Sequence, residues 1–281
     1  MFSLTFLGTG AAEGFPGVFC ACPACERARL AGGRNLKTRS CSLLDETILV
    51  DLSPDIFPQA LALGINLSKI ASIVFTHTHA DHLNLYALMS RANENAAIFP
   101  DAASRTGSID VFGNEAVGRT IEQGFVENPS FRRERIVYHS IKEGDCFRAR
   151  GLNFHALPAN HKKDEDCLLF IVEDGTDSLL YANDTGSLAD RFFDIIRDYG
   201  KQFSVVSLDC ARGLLPGDGH MGLAEDLATI DRLRAIGAID GSTTLLLNHF
   251  SHMSGVTPDE FSDQIRRYGL SLAFDGLKVE V

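Results

Sequence analysis

The chain has 281 residues, 45% of them hydrophobic and 22% charged, with a formal net charge of −11 at pH 7. That composition supplies a sizeable core and excludes a disordered chain. The acidic balance argues against nucleic acid as a partner, because a phosphate-binding surface needs clustered Lys and Arg, and the densest basic group (Arg132, Arg133, Arg135) is short enough to be a solvated face.

The first residues, MFSLTFLGTG, read as a strand running into a glycine turn and lack the features of a signal peptide. No apolar run approaches the ~18 residues that a membrane span needs. A cytoplasmic location is therefore expected, with the seven cysteines reduced. An odd count, with three cysteines in six positions, suggests metal binding rather than a disulfide framework.

In chain order, Phe2–Leu7, Ser42–Leu44, Thr47–Asp51 and Ala71–Thr76 are predicted strands, rich in β-branched and aromatic residues. Ser53-Pro54-Asp55 carries a helix-start signal, a Ser cap with Pro at the first helical position. Pro58 makes that helix short, bent or later in starting. Asp81–Ala92 reads as a helix with Asp81 in its first turn, and Asn95–Gly107 as a loop, a candidate lid on composition. Asp110–Phe112, Ile136–Ser140, Leu152–Ala156 and Cys167–Glu173 are further strands, and Asp174-Gly175 turns the last into Ser178–Ala182 as a hairpin. Helix and strand then alternate: helices at Ser187–Tyr199, Leu223–Ala235 and Pro258–Tyr268, strands at Phe203–Leu208, Thr243–Leu247 and Ser271–Phe274. With no repeat or linker evident, the pattern suits one domain over 1–281, an α/β design of two packed sheets covered by helices.

The strongest chemical signal is His77-Thr78-His79-Ala80-Asp81-His82, directly after a predicted strand. Alternate residues of an extended segment point the same way, so His77 and His79 can grip one ion. A turn into a helix at Asp81 brings Asp81 and His82 toward a second. Imidazole and carboxylate suit divalent metals such as Zn, Mn or Fe. Three of the chain's nine histidines fall in these six positions, which chance does not explain.

Here the sequence resembles the metallo-β-lactamase superfamily, whose H-x-H-x-D-H motif stands at such a strand end. The resemblance implies an αββα sandwich of two mixed sheets flanked by helices. It extends to His161 after Leu152–Ala156, Asp184 after the hairpin strand, and His249 after Thr243–Leu247. By resemblance His77, His79 and His161 bind one ion and Asp81, His82 and His249 the other. Asp184 lies between them, with room for a bridging hydroxide. The commonest exported β-lactamases of this fold have a cysteine at the Asp184 position.

Cys20, Cys22 and Cys25 supply three thiolates, one fewer than a closed zinc site needs. His252, three residues beyond His249, could turn to the opposite side and complete it. Cys-x-Cys-x-x-Cys with His-x-x-His resembles the PhnP-type cyclic phosphodiesterases. In that branch the corresponding residues hold a structural zinc, and a histidine in the region of His220 protonates the leaving oxygen. Asp81 and His220 are thus the candidate catalytic residues. Cys41, Cys146, Cys167 and Cys210 are expected to be buried packing residues, and His139 and His155 structural.

The expected activity is hydrolysis of a small cyclic or diester phosphate, on the pattern of phosphoribosyl 1,2-cyclic phosphate. The expected cofactors are two active-site ions, Mn or Zn, and one structural Zn. Metal charge allows an acidic protein to take such a substrate. The expected partner is the small phosphate ester, with neither nucleic acid nor membrane, and a homodimer is compatible with this reading. An RNA-processing nuclease of the same fold is the alternative enzyme; a lactonase or thioester hydrolase would use the same hydroxide. Gly14-Phe15-Pro16 and Ser53-Pro54-Asp55-Ile56 resemble pyrroloquinoline quinone biosynthesis protein B, an accessory-protein alternative.

Overall fold

The computed structural model describes residues 1–99 and 107–281. Among the described residues fourteen strands form two sheets of seven. The first takes β1 (Ser3–Gly8), β2 (Cys41–Leu44), β3 (Ile48–Val50), β4 (Ser72–Val74), β5 (Ile109–Gly113) and β6 (Ile136–Ser140). The second takes β7 (Cys146–Ala149), β8 (Leu152–Pro158), β9 (Leu168–Glu173), β10 (Ser178–Ala182), β11 (Val205–Asp209), β12 (Thr244–Asn248) and β13 (Ser271–Leu272). The last strand, β14 (Lys278–Glu280), returns to the first sheet and pairs antiparallel with β1. Each sheet is mixed: β3 to β6 run parallel, as do β10 to β13, and the remaining neighbours are antiparallel.

Among the described residues the α-helices are α1 (Pro23–Ala31), α2 (Ile56–Leu63), α3 (Leu85–Ala92), α4 (Glu115–Glu127), α5 (Asp190–Tyr199), α6 (Leu223–Ala235) and α7 (Pro258–Ile265). Alternation along the strands sorts the apolar side chains into layers. On β9, Leu168, Phe170 and Val172 face the space between the sheets, while Leu169 and Ile171 join the core beneath the helices on the outer face. Leu4 and Phe6 of β1 meet Phe154, Phe170 and Tyr181 in the inner layer. Leu49, Ile73 and Val111 pack outward with Leu88 of α3 and Val117 and Ile121 of α4. Both faces of the central strands of each sheet are covered, so successive apolar residues are needed along them. This is the αββα sandwich.

The structure departs from the sequence reading at several elements. The helix expected from Ser53 begins at Ile56, so Pro58 falls in its first turn, where no intrahelical N–H is required. The Ser53 hydroxyl accepts from Asp55 N at 3.0 Å, closing a turn rather than capping the helix. Asp81 is not in a helix. Leu83 bridges to Leu52 in parallel, holding residues 79–83 in a turn, and α3 starts only after Asn84, whose side chain caps Ala87 N. Helices α1 and α4 and strands β7 and β14 have no counterpart in the expectations. Cys146 is exposed on β7 rather than buried; Cys41, Cys167 and Cys210 are buried. Most of the candidate lid, residues 100–106, lies outside the described residues. Among the described residues no helix is long and apolar enough to cross a membrane.

Candidate metal centre

The parallel strands of both sheets end on the same rim, and the polar residues of the site stand just past those ends: Asp51 after β3, His77 after β4, Asp184 after β10 and His249 after β12. In open parallel sheets this carboxyl edge is where ligands bind. Asp51, Asp184 and His249 take φ of 64°, 59° and 57°. Non-glycine residues rarely adopt the left-handed region, and it persists where the surroundings enforce it, often at functional sites.

Asp184 occupies the centre. Its Oδ2 is 3.3 Å from His77 Nε2 and 2.9 Å from His82 Nε2. Its Oδ1 is 3.3 Å from His161 Nδ1 and 3.5 Å from His249 Nε2. Two groups share it: His77, His79 and His161 on one side, Asp81, His82 and His249 on the other, each with its ligating atoms within 4.8 Å of one another. The His161 and His79 rings bring Nε2 and Nδ1 to 2.9 Å, two nitrogens converging on one point. His77 Nε2, His82 Nε2 and Asp184 Oδ1 are buried without a hydrogen-bond partner. Orphaned donors and acceptors of this kind are costly unless something satisfies them. The donor set, imidazole nitrogen and carboxylate oxygen, fits divalent metal ions.

Burial is the largest influence on these groups. It drives His77 well below the ordinary histidine range. At His82 it is outweighed by the carboxylates of Asp51 and Asp81, which raise the imidazole well above that range. At Asp184 the surrounding imidazoles, His249 first, overcome burial and hold the carboxyl far below its usual value.

A separate group joins the two ends of the chain. Cys20 Sγ lies 3.2 Å and Cys22 Sγ 3.7 Å from His252 Nδ1, and all four ligating atoms of Cys20, Cys22, Cys25 and His252 lie within 4.8 Å. Gly17 lies against this group: its N–H donates to Cys25 Sγ at 3.3 Å, and an added Cβ would meet Cys20 Cβ at 3.1 Å. Three thiols and one imidazole match a closed tetrahedral zinc set.

A family model described as a beta-lactamase superfamily domain matches residues 46–250. The chain belongs to the beta-lactamase superfamily. A diphosphatase from the PhnP family matches this superfamily member at TM-score 0.75 and 23% identity, covering 100% of this chain and 97% of that one. Zn²⁺-bound PqqB from Methylobacterium extorquens matches at 0.72 and 14%, over 99% and 100%. The short form of human tRNase Z matches at 0.65 and 15%, over 99% of each chain. These likenesses show a shared fold. No curated protein matches the chain.

Two residues at this superfamily member's site escaped the sequence reading. Asp51 Oδ1 accepts from Thr76 N at 2.8 Å and its Oδ2 lies 2.7 Å from His82 Nδ1, leaving Nε2 for the centre. Asp209, at the end of β11, lies 3.1 Å from His220 Nδ1 and accepts from the backbone N–H of Thr185, Ala211 and Met221. Asp209 and His220 also group with Asp184 and His249 within ligating distance. Asp209 thus already has four hydrogen-bonding partners, His220 among them. Their one available signal was an acidic residue ending an apolar strand. A cavity of about 150 Å³ opens beside the centre, lined by Ala11, Ala12, Glu13, Ala211, Met253 and six residues of the clusters.

Proposed function

We propose that the protein is a metal-dependent hydrolase that cleaves a small cyclic or diester phosphate, of the phosphoribosyl 1,2-cyclic phosphate type. The observation that carries this reading is Asp184, one carboxylate facing two separate histidine groups. His77, His79, His161 and Asp184 would hold one divalent ion, and Asp81, His82, His249 and Asp184 the other, Mn or Zn. Bound there, such ions lower the pKa of water and neutralise charge on the attacked oxygens. Cys20, Cys22, Cys25 and His252 would hold a structural Zn.

The lining of the cavity supports a phosphate ester bound through metal charge. Among the described residues no Lys or Arg lines it, and Glu13 does. Positive charge for a phosphate must then come from the ions and from imidazole. His220 would give a proton to the departing oxygen, a role supported by its position in the lining. Burial opposes its charge, but Asp209 and Asp184 raise it from the ordinary value to about 9. Asp209 occupies Nδ1 and leaves Nε2 as the nitrogen open to a substrate.

The small cavity and the net charge of −11 favour this reading over an RNA-processing nuclease. The complete histidine and aspartate set favours it over a PqqB-like accessory role. The test is turnover of bis(p-nitrophenyl) phosphate and of five-membered cyclic phosphates by metal-depleted protein before and after adding Mn²⁺ or Zn²⁺. Metal-dependent turnover of these, with precursor tRNA left uncut, is expected. Efficient tRNA trailer removal, or no turnover with any metal, would reverse the ranking.

A further inference from the structure

The outer face of the second sheet carries a different cluster, away from the metal groups. On the edge strand β7, Cys146 stands directly opposite His155 of β8. Its Sγ lies 3.1 Å from His155 Nδ1, and His155 Nε2 lies 3.6 Å from Glu173 Oε1 on β9. The other Glu173 oxygen accepts from the Tyr199 hydroxyl at 2.7 Å and from Lys201 Nζ at 2.6 Å. The Tyr199 ring stands edge-on to His155 at 5.4 Å.

The layering explains why this cluster is open. Ile171, opposite His155 on the next strand, belongs to the outer core beneath the helices. Helix α5 ends at Tyr199, and beyond it the same sheet face runs out to β7, where Cys146 is exposed. His155 is 29% exposed and Glu173 only 11%.

The order of the groups matters. In a chelate, donors turn toward one point; here the imidazole stands between thiol and carboxylate, with Nδ1 facing the thiol and Nε2 facing Glu173 at 3.6 Å, just beyond hydrogen-bond distance. That is the order of nucleophile, base and orienting carboxylate. Burial works against the Glu173 charge, but Lys201 and Tyr199 outweigh it and hold the carboxyl below its usual range. It is thus an anion on the Nε2 side of the ring, with Nδ1 turned to the thiol.

We propose that Cys146 is a nucleophilic thiol, with His155 as its base and Glu173 as positioning carboxylate, that reacts with small hydroperoxides at a site separate from the metal centre. The thiol proton passes to His155, and the sulfur attacks the terminal peroxide oxygen. An S–O bond forms as the O–O bond breaks. The sulfur is oxidised to a sulfenic acid and the hydroperoxide is reduced to an alcohol, or to water if it is hydrogen peroxide. His155 returns its proton to the departing oxygen, so the atoms balance.

The test treats metal-loaded protein with hydrogen peroxide and dimedone at pH 7 and follows the Cys146 peptide by mass spectrometry. His155→Gly should slow its labelling at least about tenfold, with Glu173→Gln between the two. Added imidazole should restore much of the rate in His155→Gly, which a purely structural role would not allow. Cys146→Ser should abolish the label and leave metal-dependent hydrolysis unchanged. Labelling that is equal in the wild type and His155→Gly, or a loss that imidazole does not restore, overturns the proposal. Thermal melts check folding, and if His155→Gly fails to fold, the wild-type rate against Glu173→Gln decides, equal rates overturning it.

Discussion

The Oδ2 of Asp51 and the Nδ1 of His82 lie 2.7 Å apart, each side chain only 1% exposed. A carboxylate behind a metal-facing histidine fixes its tautomer and ring orientation, and losing it costs 10–100-fold in metal affinity, on the order seen across such sites. Asp51→Ala should show that loss in a competitive metal titration. Asp51→Asn, which keeps an oxygen for Thr76 N, should lose less stability. An Asp51→Ala protein with wild-type metal affinity would remove Asp51 from the site.

Asp184 faces both histidine groups. Its change to Ala should lower metal content in both and abolish nearly all turnover, as counted by elemental analysis of dialysed protein. If one group lost metal and the other kept it, the shared-ligand assignment would fail.

His220 is assigned the proton for the departing oxygen, a role worth ~10²–10⁴-fold. His220→Ala should therefore slow hydrolysis of an alkyl phosphate diester by about that factor. It should slow bis(p-nitrophenyl) phosphate far less, because nitrophenolate leaves without a proton. Equal losses on both substrates would assign His220 to binding.

Thiolate-rich closed sites hold zinc tightly and couple it to folding, whereas open nitrogen- and oxygen-ligated sites exchange metal readily. Mild chelation should remove hydrolysis first and leave about one zinc per chain in a folded protein. Cys22→Ser should lose that zinc and melt at a lower temperature. An unchanged melting temperature and zinc content in Cys22→Ser would dismiss the structural site.

Lys37 is buried, with its Nζ donating to Thr9 Oγ1 at 3.1 Å and to the Ala273 carbonyl. Burial lowers it from 10.5 to about 8, against the attraction of Asp275. Below pH 8 both folded and unfolded chains hold this proton, and the full cost of the buried ammonium is present. Between about 8 and 10.5 the unfolded chain binds more protons, so this group's contribution to stability rises with pH, by about 3 kcal/mol over the window. Denaturant melts of wild type and Lys37→Met across that range isolate it, since other titrating groups are common to both. Parallel stability curves would contradict the shift.

Every residue singled out as a ligand from the sequence falls within one of the groups that the fold assembles. These were legible because ligand chemistry restricts residue type and because the motif sits at a strand end. Asp51 and Asp209 were not, since an Asp ending an apolar strand looks like any turn residue until its partner is in view. Helix α4 had a readable signal in the Asn114 cap, whose side chain accepts from Val117 N, and in Val117, Ile121 and Phe125 at four-residue spacing. Helix α1 did not: only Ala24, Cys25 and Ala28 are buried in it, too few for a periodic stripe. The turn at Asp81 depends on pairing between Leu83 and Leu52, a contact that local propensity does not encode.

The pairing of Ser3 with Glu280 sets an order of events in time. β1 is held between β2 and β14, so a nascent chain can form the hairpin with β2 early but must leave the outer edge of β1 open until the last strand emerges from the ribosome. His249 and His252 also arrive late, so neither the hydrolytic centre nor the cysteine group can be complete before then. During synthesis the outer edge of β1 and the three cysteines therefore wait for partners that emerge later in the chain. An unpaired strand edge of this kind is a template for association with other chains until β14 covers it.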